Sequence, residues 1–139
     1  MTTPKQSYRN VAAPSLAEIE VLAQSAFASL PEEFRRLCEG LVIRVEDFPD
    51  DETVTRLKCR SKFDILGRFR GYGLAQSPAA AWTGKLPNMI WLYRCPILNY
   101  GAEHEETLAA IVAHVLVHEI GHHFGLSDED MQAIEQAAE

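Results

Sequence analysis

Residues 108–128, LAAIVAHVLVHEIGHHFGLSD, decide the fold. Between Leu108 and Ile120 apolar side chains fall on almost every side of a helical wheel, which predicts a buried helix rather than a surface one. Glu103, Glu105 and Glu106 would sit at its positive end. It should stop at Phe124, with Gly125 as the left-handed residue beyond the cap, and Ser127 would cap a last helix over 128–138. Within that helix His118 and His122 stand one turn apart, ~40° apart in projection, so both imidazoles can reach one ion. Glu119 projects beside them without being a ligand. The turn at Gly125 returns Asp128 as a third ligand. Two histidines and one carboxylate leave a coordination position open, the pattern of a catalytic rather than a structural zinc site. The alternative is a hydrogen-bonded set of core residues, which is costly because a buried carboxylate and two imidazoles need other partners. For Asp128 the alternative is an acidic first turn behind a Ser127 cap, needing no metal.

The other histidines read differently. His114 lines up with His118 and His122, but it lies eight residues from His122, ~12 Å along a straight helix, too far to share an ion bound at ~2 Å. It is expected to be a packed histidine or one supporting the ligands. His123 points away from the ligand pair and is expected to support the ligands or border the cleft, and His104 is expected at the surface. The chemistry implied is attack of a metal-activated water on a carbonyl, with Glu119 as general base and then as proton donor to the leaving amine. Tyr72, Tyr93, Tyr100, His123 and Arg94 remain open candidates for stabilising the oxyanion.

Upstream, Ser15 and Glu18 form a capping-box pattern before apolar residues at helical spacing, predicting a helix over 15–29. Pro31, Glu32 and Glu33 open a second, short helix over 31–39 that Gly40 ends. Alternation over 41–47 predicts a strand, and Asp50-Asp51-Glu52 opens a short helix through Lys58. Phe69 to Leu74, with its charges and glycines, suits a strand at a sheet edge. A Pro/Ala/Gly loop follows. Met89 to Arg94 is the clearest strand, ended by Pro96. Helices, then strands, then two helices favour an α+β domain around a small mixed sheet. Residues 1–14 are expected to be a flexible segment and 15–139 a single domain.

The chain has 139 residues, 47 % hydrophobic and 24 % charged, which fits one globular domain and excludes wholesale disorder. Its three cysteines, Cys38, Cys59 and Cys95, form no CxxC pair, against both a disulfide framework and a four-cysteine zinc site. No signal-like apolar stretch opens the chain, and the longest apolar run is too short to span a bilayer. A cytoplasmic location without membrane association is therefore expected. The net charge of −7 is unevenly spread: residues 53–94 carry eight basic side chains against Asp64 alone, whereas residues 101–139 carry nine acidic side chains and no Lys or Arg. The acidic balance disfavours nucleic acid as a partner, and Arg56, Lys58, Arg60, Lys62, Arg68 and Arg70 read as a solvated stripe.

From Leu30 to Met131 the chain resembles the small bacterial zincin-like metallopeptidases, in the ordered segments LPEEFRRL, VEDFPDD, LGRFRG, LPNMIWLYRCPI and HEIGHHFGLSDEDM. The resemblance implies a minimal metalloprotease-like fold, a small mixed sheet packed on the metal helix. It implies His118, His122 and Asp128 as zinc ligands and Glu119 as general base. It also implies an antiparallel edge strand, placed here around Gly67 to Leu74, that pairs with an extended peptide, with MIWLYR as the inner strand. The motif is similar to that of snapalysin-type metzincins, but eleven residues follow Asp128, with no separate Met-turn subdomain to wall the cleft. The expected partner is a peptide or protein substrate, with a partner protein able to complete the cleft. Two other readings stand beside a peptidase. One is a non-catalytic, zinc-stabilised binding module. The other is a zinc-dependent hydrolase of a different substrate such as RNA, against which count the third-ligand Asp and the HExxH glutamate, both foreign to short zincin-like ribosomal-RNA endonucleases.

Overall fold

Ser15 starts the first helix as expected. Its hydroxyl accepts from the Glu18 amide at 3.1 Å and the Glu18 carboxylate accepts from the Ser15 amide at 2.8 Å. The computed structural model describes residues 10–71 and 87–138. Helix α1, Leu16–Ala28, buries Ile19 and Ala23, one turn apart, on the face that meets the core. A short α2, Glu32–Arg35, continues as a 3₁₀ turn, Arg36–Cys38, and Gly40 at φ +75° redirects the chain into β1, Val42–Glu46. Asp50 caps α3, Asp51–Arg56, by accepting from the Thr53 amide at 2.7 Å. Strand β2 is Gly67–Arg70 and β3 is Met89–Tyr93.

The described strands form one mixed sheet in the order β1-β3-β2, with β1 parallel and β2 antiparallel to β3. Among the described strands MIWLY is thus the inner one and β2 an edge, as expected. Strand β2 begins two residues earlier than expected, and Tyr72 to Leu74 lie outside the described residues, as does the Pro/Ala/Gly loop. Register sorts the faces. Ile90 pairs with Ile43 and Phe69, and these point with Leu92 into the core. On the other face Trp91 lies between Arg44 and Arg68, with the guanidinium carbons of Arg68 and Arg70 4.2 and 5.3 Å from the indole centroid. Two residues of the basic stripe are therefore stacked on an aromatic ring, on the face opposite Ile43, Ile90 and Phe69.

Two expectations about the following helices are corrected. Pro96 does mark the end of β3, but a helix absent from the sequence reading starts at once: α4, Arg94–His104. Proline is tolerated there because first-turn amides have no intrahelical acceptor. Glu103 belongs to this helix, and Glu105 ends it in the left-handed region at φ +52°. The long helix α5, Leu108–His123, is instead capped by Thr107, whose hydroxyl accepts from the Ala110 amide at 3.2 Å. Helix α5 is also not buried all round. Ile111, Val112, Val115, Leu116, Val117 and Ile120 are buried, but Ala110 and His114 are exposed along one line. Alanine tolerates water, so the wheel overstated the burial. Helix α5 packs against α1, α4, β2, β3 and the final helix α6, Asp128–Ala137.

Candidate metal centre and cleft

The C-terminal end of α5 is a complete Schellman turn. Leu126 donates to the Gly121 carbonyl at 2.9 Å and Gly125 to that of His122 at 3.2 Å. Gly125 holds φ +76°, a conformation in which a side chain is strained. Two residues on, the Ser127 hydroxyl accepts from the Asp130 amide at 3.1 Å and the Asp130 carboxylate accepts from the Ser127 amide. The cap of α6 is therefore built by Ser127 and Asp130, and Asp128 is not one of its members. Met131 is fully buried where α6 crosses α5. A Cβ added at Gly121 would lie 2.6 Å from the Met131 sulfur, so the missing side chain lets the helices close.

Helix α5 presents His118, Glu119 and His122 to one cleft of about 400 Å³, bordered by Asp64, Gly67 and Tyr100. The cleft runs beside the start of the edge strand β2. His118 and His122 have ring centroids 5.6 Å apart at 85°. Glu119 is half-buried, and loss of hydration pushes its carboxyl above the usual range while the neighbouring His122 pulls it back. Burial likewise lowers the His118 pKa, and the nearby His114 lowers it further, whereas the Glu135 and Asp128 carboxylates oppose them. Asp128, at the start of α6, is not among the residues that line the cleft.

His114 keeps one of its two expected roles: the packed one is excluded and the one beside His118 remains. It is exposed rather than packed; its Nδ1–H donates to Glu135 Oε1 at 2.9 Å and its ring stacks on that of His118, centroids 3.9 Å apart. Glu135, from α6, also reaches His118, with Oε2 3.7 Å from Nε2. Among the described residues, the group of three whose ligand atoms lie within 4.8 Å of one another is His114, His118 and Glu135; His122 and Asp128 are not in it. Glu135 escaped the sequence reading because its meeting with α5 depends on how two helices pack. The one available signal was its place two turns after Asp128, on the same side of α6.

The oxyanion candidates separate. Tyr100 lines the cleft and stacks on the exposed His104 at 3.9 Å. Tyr93 is buried in the core. Arg94 is engaged by the Pro14 carbonyl at 2.6 Å and by Asp47. His123 packs edge-on against Phe69 at 4.9 Å, and Tyr72 lies outside the described residues. Imidazole nitrogens and carboxylate oxygens at the mouth of a half-buried cleft suit a divalent ion such as zinc.

Comparison with known proteins agrees with this picture. Across 80 % of this chain and 94 % of its own, a conserved hypothetical protein from Thermus thermophilus shares the fold at a TM-score of 0.51 and 19 % identity. A search of the curated proteins finds no match. The family model for zincin-like metallopeptidases matches residues 38–138, from the end of the 3₁₀ turn through α6. With that match spanning sheet, cleft and both site helices, the chain belongs to the zincin-like metallopeptidase family.

Proposed function

We propose that this protein is a zinc-dependent metallopeptidase in which His118, His122 and Asp128 hold the ion and Glu119 is the general base. The observation that carries the reading is the convergence of His118, Glu119 and His122 on one cleft beside an edge strand. When bound there, the ion supplies Lewis acidity toward the scissile carbonyl and the attacking water. Glu119 takes the proton from that water as it attacks and returns it to the departing amine, so that one carboxyl serves both steps. Strand β2 offers backbone groups at the sheet edge to an extended peptide, and Tyr100 borders the cleft where its hydroxyl can donate to the developing oxyanion.

The test exposes a diverse peptide library to the zinc-loaded protein and to its Glu119→Gln variant, with cleavage read by mass spectrometry. The wild type should cut, and the variant should bind zinc while losing a factor of about 10²–10⁴ in rate. Zinc bound to both proteins with no cleavage by either would sink the proposal.

A further inference from the structure

Helix α5 carries histidines at 114, 118 and 122, two overlapping pairs at helical i, i+4 spacing that share His118. The 118–122 pair belongs to the HExxH motif and faces the cleft with Glu119. The 114–118 pair has the same spacing, and α6 supplies it with a carboxylate of its own. Glu135 places Oε1 2.9 Å from His114 Nδ1 and Oε2 3.7 Å from His118 Nε2, bridging two imidazoles whose rings stack at 3.9 Å. Helix propensity does not ask for this arrangement, and burial does not enforce it, since the His114 side chain is 58 % exposed. Two nitrogens and a carboxylate within 4.8 Å are instead a preassembled set of donors for a borderline divalent cation.

We infer that His114, His118 and Glu135 form a second divalent-cation position, one helical turn before the HExxH position and sharing His118 with it. A neutral imidazole keeps its proton on one ring nitrogen and offers a lone pair on the other, so an ion drawing on His118 at one position withdraws that ligand from the other. The two positions are alternatives, and the chain holds one ion in either of two places. An ion at the first position leaves the HExxH pair short of a ligand, which makes it a resting location for the metal. The existence of this position stands on His114 and Glu135; only its competition with the motif rests on the function proposed above.

The test is titration of the full chain with Co²⁺, following the visible absorption of the bound ion and the stoichiometry by calorimetry, with circular dichroism as the folding control. His122 and His114 are exposed, so their removal spares the core. Wild type should bind one ion. His122→Ala should still bind one, with an altered spectrum. In the His122→Ala background, adding Glu135→Gln or His114→Ala should each weaken that binding by about a hundredfold or more, since outer partners of a ligand are by themselves worth 10–100-fold. Loss of all binding in His122→Ala, or unchanged residual binding in either double variant, would overturn the inference. The peptide-library comparison leaves His114 and Glu135 untouched, so its failure would be separately visible.

Discussion

Cys38 shows how burial alone sets reactivity. It is fully buried in the core, and desolvation pushes its thiol up to about 11 from an ordinary 9.0. Below pH 9 the thiol is neutral in both folded and unfolded chains and costs nothing. Above it the unfolded chain ionises first, so stability should fall as pH rises from 9 toward 11. The accompanying prediction concerns labelling: at pH 9 a disulfide reagent should titrate Cys59 and Cys95 in the native protein and reach Cys38 only after urea is added. Three equally fast thiols would contradict this. At the same scale, the shared cleft of His118, Glu119 and His122 is legible because helical spacing alone puts them on one side of one helix. Glu135 is not, because no spacing within α6 tells which residues of α5 it meets. For the same reason the sequence leaves His114 open between a packed and a supporting role: its stack on His118 follows from i, i+4 spacing, but its Glu135 partner lies on another element.

Helices and strands were legible where the sequence carries a local signal. The Ser15 capping box, the Ser127 cap, the glycine stop at 125 and the MIWLY strand all appear where their residues put them. Helix α4 carries no such signal: RCPILNYGAEH has no apolar stripe and contains both proline and glycine, and it is helical because its place between β3 and α5 buries Pro96 and Ile97. Thr107 marks the true start of α5, and Thr107→Ala should cost about 1 kcal/mol, read as a lower urea midpoint with unchanged slope. No shift would mean that packing against α1 and the sheet fixes that end without the cap. Gly67, at the start of the edge strand, is tighter. An added Cβ would stand 2.6 Å from Val115 Cγ1 and 2.8 Å from the Trp91 carbonyl oxygen. The second neighbour is backbone of the central strand and cannot swing aside, so Gly67→Ala should destabilise by about 1–3 kcal/mol. Because the strand would have to lift from α5, cleavage should weaken as well, and full stability with full activity would refute the close approach.

At the scale of the whole molecule, charge is segregated along the chain. Residues 101–139, which include α5 and α6, carry nine carboxylates and no Lys or Arg. Arg68 and Arg70, from the basic block, stack over Trp91 on the face of the sheet turned away from α5. Asp64 and Glu106 border the cleft together with Glu119. A bound divalent ion offsets charge where the histidines hold it, but the carboxylates at Asp64 and Glu106 remain to shape the approach. A concave surface with low-dielectric walls focuses such a field, and the potential extends over a Debye length of ~8 Å at physiological salt. Peptides with Lys or Arg beside the scissile bond should therefore show a higher kcat/KM than otherwise identical peptides with Glu there. The ratio should shrink between low salt and ~0.5 M NaCl, and it should narrow at low salt in Glu106→Gln. A preference for acidic peptides, or a ratio indifferent to salt, would show that local contacts rather than the field of the acidic helices select the substrate.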